Sequence, residues 1–146
     1  MKRLRTQGLA GTFSIIAISA DCKLMGVTVA SGSTAVGDRV PYTKPGIGVV
    51  ATQAYTNAAY GIKGLELLTN GLSPREALDR LLMEDPGREL RQVAIMDFKR
   101  TRAVFTGANA PYWRGEAAGK DYVVIGNLLA GKNVVPSIAE GFERTS

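Results

Sequence analysis

Residues 11–19, GTFSIIAIS, and 24–30, LMGVTVA, are two runs of β-branched and apolar residues separated by a short polar break, ADCK. Runs of this length and composition read as strands, and a break of four residues suits a hairpin. Apolar side chains fall on both faces of each run, so both strands are expected to be covered on both sides. A third run, residues 46–55, GIGVVATQAY, extends the series. Its Gly46 and Gly48 favour close backbone contact over side-chain packing.

Residues 31–45, SGSTAVGDRVPYTKP, read as a loop of small and turn-forming residues. Asn57 is placed to cap a helix over 58–69, with Leu65, Leu68 and Ile62 on its apolar face and Asn70-Gly71 ending it. Ser73-Pro74-Arg75-Glu76 is a helix start with an N-cap, proline at the first helical position and a capping box. That helix is expected to bury Ala77, Leu78, Leu81 and Leu82 and to stop at Asp85-Pro86-Gly87. Strands over 92–97 and 102–106 form a second hairpin, residues 107–120 are irregular, and 122–125 is a further strand. A last helix starts at Asn133 or Val134 and reaches about Arg144. The predicted order is β-β-β-α-α-β-β-β-α, an α+β layered fold of two mainly antiparallel sheets stacked between helical layers. Residues 12–146 read as one domain, preceded by a polar, basic leader or pro-segment over 1–11.

The net charge is +5, and three of those charges come from Lys2, Arg3 and Arg5. Elsewhere basic and acidic residues interleave, and no basic stripe carries stacking aromatics, so no nucleic-acid partner is expected. No apolar run is long enough to span a bilayer. Cys22 is the only cysteine, which points to a cytoplasmic protein without an internal disulfide.

The chain has no histidine. A Ser-His-Asp triad, a Cys-His pair and a His-ligated metal are thereby excluded, and no metal or other cofactor is called for. Acid–base chemistry falls to carboxylates, lysine, tyrosine or a backbone amine. Thr12, at the head of the first strand, is a candidate nucleophile if the Gly11–Thr12 bond is broken, because its own amine then supplies the base. Its plainer role is that of a β-branched residue starting a strand. Gln53 and Asn57 carry amide hydrogens suited to a developing oxyanion, as does Asn127 beside Gly126, although Asn57 serves equally as a helix cap. Trp113 and Tyr112 are candidates for a pocket wall or a packing anchor. GSTAVG and GIG make no phosphate-binding loop.

The pieces TFSIIA at Thr12, GVTVAS at Gly26, AVGDRVP at Ala35, GVVATQAYTN at Gly48, YGIKGLELL at Tyr60, RQVAIMD at Arg91, FTG at Phe105 and IGNLLAG at Ile125 together resemble the DUF1028 family of the N-terminal-nucleophile (Ntn) hydrolase superfamily. The resemblance implies a four-layer αββα sandwich with Thr12 at the nucleophile position. It also implies that Gly11 suits a cleavable bond, and that Ser31 and Ser33 follow the strand edge facing the nucleophile. Lys44, near the lysine that lowers the nucleophile's pKa in proteasome-type members, becomes a catalytic candidate, with Asp38 as its nearest loop carboxylate. The chain departs from the family in two ways. Members commonly carry Cys and His after TG, where this chain reads TGANAPYWRGE, and eleven residues precede Thr12. Members also continue past the last helix, so a fragment or short form is expected.

Two readings follow. One is an amidohydrolase acting on an amide or peptide-like bond, with Thr12, Lys44 and Asn127 catalytic and Ser31, Ser33, Gln53 and Asn57 binding substrate; relatives that resemble fusions to peptidoglycan-binding modules suggest cell-wall peptides. The other is a non-catalytic relative that binds a small ligand or a partner subunit. Exposed sheet edges lead to the expectation of a homo-oligomer.

Overall fold

The first strand, β1 (Thr12–Ile18), sits inside its sheet, with β2 (Met25–Ser31) on one side and β8 (Tyr122–Asn127) on the other. The structure, a computed structural model, describes residues 11–145; residues 1–10, most of the expected leader, lie outside the described residues. β7 (Gly115–Ala118) completes this sheet in the order β2-β1-β8-β7. A second sheet has the order β3-β4-β5-β6, from β3 (Pro41–Lys44), β4 (Gly48–Ala54), β5 (Arg91–Asp97) and β6 (Arg102–Thr106). Every pairing in both sheets is antiparallel.

Three helices cover the outer faces. Against the second sheet, α1 (Ala59–Thr69) and α2 (Pro74–Glu84) enclose Tyr60, Leu68, Leu78, Leu81, Val93 and Ile95. On the first sheet, α3 (Val134–Glu143) packs Val135 and Ala139 over Tyr122 and Val124. Between the sheets lie Ile16, Ile18, Val49, Ala51, Ala94, Met96, Val123 and Ile125. The layers therefore run helix, sheet, sheet, helices, as expected of an α+β sandwich.

The capping box of α2 is present: the Glu76 amide donates to Ser73 Oγ and the Ser73 amide to Glu76 Oε2. Ala77, Leu78 and Leu81 are buried, while Leu82 is only half-buried. Gly48 makes the expected close approach, since a Cβ there would lie 2.5 Å from the Met96 carbonyl oxygen, whereas Gly46 does not: it precedes the strand at φ +72° with nothing within 4 Å of such a Cβ.

Four local expectations need correction. β3 falls in the stretch read as loop, and β7 in the stretch read as irregular. Both are four-residue edge strands; β3 opens on a proline, and GEAA in β7 has little β-propensity, so cross-strand pairing alone defines them. β2 is not covered on both faces, because Gly26, Thr28 and Ala30 on its outer side are exposed. Ile62 is 57% exposed. The helix is turned instead to lay Gly61 and Gly64 on the sheet, where a Cβ at Gly61 would meet the Tyr42 ring at 2.1 Å.

Among the described residues, no helix is long and apolar enough to cross a membrane.

Candidate functional site

Alternation along each strand sends every second residue into the space between the sheets. Along β1 those residues are Thr12, Ser14, Ile16 and Ile18, polar at the head and apolar below. The same change occurs on the neighbours, where Ser31 ends β2, Asn127 ends β8, Gln53 lies near the end of β4 and Gln92 near the start of β5. Thr12 stands opposite both Ser31 and Asn127. Gln53 stands opposite Gln92. One end of the intersheet layer is therefore polar.

These side chains form a continuous hydrogen-bonded network. Ser14 Oγ donates to Gln53 Oε1 at 2.6 Å, and Gln53 Nε2 donates to Gln92 Oε1 at 2.8 Å and, at 3.5 Å, to the Thr12 carbonyl. Asn127 Nδ2 donates to the same Gln92 oxygen at 3.3 Å. Gln92 Nε2 reaches Thr106 Oγ1 at 3.1 Å and the carbonyls of Gly115 and Gly126 at 3.0 Å each. Gln92 is fully buried and touches strands of both sheets, so it clamps them together beneath Thr12. It was not among the residues singled out from the sequence. The available signal was an uncharged polar residue, next to Arg91, at the head of the apolar run VAIM.

Above this network, Thr12 Oγ1 lies 2.8 Å from Ser31 Oγ, which also accepts from the Ser33 amide at 3.1 Å. Thr12 is 7% exposed and lines a cavity of about 430 Å³. Ser31, Ser33, Gln53 and Asn127 line the same cavity, together with Arg39 and Arg91. The structure thus brings together five of the seven residues selected from the sequence.

The other two lie elsewhere. Lys44 pairs with Gly48 at the opposite end of the second sheet, five positions along β4 from Gln53, or about 17 Å at the strand rise. Its ammonium donates to Thr69 Oγ1 at 2.9 Å. Asn57 Oδ1 accepts from the Ala59 amide at 3.1 Å, so its side chain caps the start of α1. Asp38, in the 3-10 turn Val36–Asp38, is exposed and does not line the cavity. Tyr112 and Trp113 pack their tilted rings against each other, both exposed, and are not cavity-lining residues either.

Gly11 has a packing reason independent of chemistry: a Cβ there would lie 2.7 Å from the Leu128 carbonyl oxygen.

Arg91 is held rigidly. Its Nε donates to Asp85 Oδ2 at 2.9 Å and its Nη1 to the Tyr55 carbonyl at 2.7 Å. Asp85 also accepts from the Tyr60 hydroxyl and the Gly87 amide, each at 2.8 Å. The Arg91 bond leads in drawing the Asp85 carboxyl down to about 2. Burial, with the Asp85 bond second, raises the Tyr60 hydroxyl well above its ordinary value.

The donor count separates the two amides. Both Gln53 Nε2 hydrogens are committed, to Gln92 and to the Thr12 carbonyl, so Gln53 positions the head of β1. Asn127 Nδ2 has one hydrogen on Gln92, which leaves a second on a residue that lines the cavity. Among the described residues, no group of three His, Cys, Asp or Glu side chains is placed to hold a metal ion.

A two-sheet α+β sandwich with a polar cavity at one end of its intersheet layer is the class that fold and site define. The chain belongs to the DUF1028 family, a family of unknown function, which matches residues 12–146. Among solved structures, the protein SPO2555 from Silicibacter pomeroyi, a DUF1028 protein, is similar at 31% identity and a TM-score of 0.86. The likeness covers 90% of this chain and 61% of that one, so the chain spans less than two thirds of its neighbour's length. No curated protein is significantly similar to it.

Proposed function

We propose that this is an Ntn-type amidohydrolase built on the αββα sandwich of that superfamily, with Thr12 as the nucleophile. The observation that carries the reading is the position of Thr12: at the head of an inner strand, lining the cavity, with its hydroxyl 2.8 Å from the Ser31 hydroxyl. A threonine hydroxyl needs a base, and this chain has no histidine to supply one. Breaking Gly11–Thr12 frees the Thr12 amine for that role.

The amine takes the Oγ1 proton, directly or through one water, while Oγ1 attacks the substrate carbonyl carbon. The free Asn127 amide hydrogen donates to the oxyanion. The protonated amine then returns its proton to the leaving nitrogen as the C–N bond breaks. Water, deprotonated by the same amine, hydrolyses the Thr12 ester. Ser31 has no charge of its own to act as base; it orients Oγ1 and can relay the proton. Lys44 has no part, since it lies at the far end of the sheet.

The test is a panel of N-acyl amides and short peptides, cell-wall peptides included, assayed with the wild type and Thr12→Ala. The reading predicts turnover of at least one class, lost in Thr12→Ala and partly kept in Thr12→Ser. Equal rates in wild type and Thr12→Ala for every hydrolysed amide refute it. Binding of panel members with no turnover supports the non-catalytic alternative.

A further inference from the structure

Two arginines line the Thr12 cavity. Arg39 follows the 3-10 turn after β2, and Arg91 stands at the head of β5. No carboxylate lines the cavity among the described residues. Of the five N–H donors on Arg91, Asp85 and the Tyr55 carbonyl engage three, leaving one on each terminal nitrogen. Asp85, itself fixed by Tyr60 and Gly87, locks the plane of that guanidinium. Arg39 is held by one bond, from Nη2 to the Thr34 carbonyl at 2.7 Å, and among the described residues it makes no ion pair. Hydroxyls of Ser31 and Ser33 add neutral donors to the same wall.

We propose that this cavity binds substrates through a carboxylate, held by Arg39 and Arg91, so that the substrate class is an amide bearing a nearby carboxylate, as at a peptide C-terminus or in an N-acyl amino acid. The inference rests on the amidohydrolase reading for the word substrate, though not for the binding itself. Charge selects carboxylate over phosphate. The Asp85 carboxylate offsets the Arg91 charge, and Arg39 leaves one net positive charge, which matches a monoanion. Shape agrees, because a fixed guanidinium fork suits a planar carboxylate. A cavity of about 430 Å³ suits a ligand of one or two residues.

The test is binding, followed by NMR shift changes at cavity residues in the full chain. The probes are N-acetyl-L-alanine, its uncharged carboxamide and inorganic phosphate. The proteins are the wild type, Arg39→Gln, and Lys99→Gln, which removes one charge in an exposed turn between β5 and β6. The acid is expected to bind at least about tenfold more tightly than the carboxamide, the size of one charge-assisted hydrogen bond. It is also expected to outbind phosphate. The preference for the acid should vanish in Arg39→Gln and persist in Lys99→Gln.

Equal binding of acid and carboxamide, binding of none, tighter binding of phosphate, or a preference that survives Arg39→Gln overturns the proposal. None of these readings needs hydrolysis. A carboxylate preference in a protein that cleaves nothing therefore sinks the catalytic reading alone, and amide turnover without that preference sinks this one alone.

Discussion

Thr12 and Ser31 face each other across the β1–β2 ladder, and their hydroxyl oxygens are 2.8 Å apart. Ser31 therefore helps to fix where the Thr12 oxygen points. It is held in turn by the Ser33 amide.

If that contact orients a nucleophile, Ser31→Ala should lower kcat by roughly fivefold while KM stays near its wild-type value, since one neutral hydrogen bond is worth about 1 kcal/mol. The fold should lose no more than about 1 kcal/mol. Steady-state kinetics alongside urea unfolding separates the two effects. A change confined to stability would make the contact merely structural.

Gln92→Leu should be far more damaging. It removes the acceptor for Gln53 and Asn127 and the donor for Thr106 and two carbonyls in a fully buried position. Unsatisfied buried polar groups cost about 1–3 kcal/mol each, so a loss of about 3 kcal/mol or more is expected in urea unfolding. A loss below about 1 kcal/mol would mean that the sheets are clamped elsewhere.

Asp85 should make the fold acid-sensitive in a definite window. Its carboxyl lies near 2 in the folded protein against an ordinary 3.8. A depressed carboxyl stabilises the fold above its unfolded value, and that contribution is lost as pH falls through the folded one. About 2 kcal/mol should therefore disappear between roughly pH 4 and pH 2. Asp85→Asn should be less stable at neutral pH and show a flatter profile across that window. Identical pH profiles for the two proteins would exclude the Arg91 contact as the cause.

Much of the fold is legible in the residue order because its signals are local. The capping box at Ser73 and Glu76 needs only four consecutive residues, and GTFSIIAIS announces a strand by composition alone. β3 and β7 are not legible in this way, because nothing within PYTK or GEAA distinguishes strand from loop until a partner strand pairs with it. The rotation of α1 is hidden for a related reason. Ile62 fits an apolar face at helical spacing, but the glycines at 61 and 64 permit the closest approach and decide the contact.

The site divides along the same line. Thr12, Gln53 and Asn127 are recognisable as polar residues near strand ends, Ser31 and Ser33 enter through the family resemblance, and the sandwich gathers all five around one cavity. Gln92, Arg39 and Arg91 acquire meaning only from what they face across the two sheets. Lys44 illustrates the converse: it flanks the right strand, yet at the end that points away from Thr12.

The central claim concerns one peptide bond, and intact mass spectrometry of the purified, amide-hydrolysing protein measures it directly. The account predicts a chain that begins at Thr12 in the active fraction. Amide hydrolysis by protein that still carries Gly11 joined to Thr12 would contradict it.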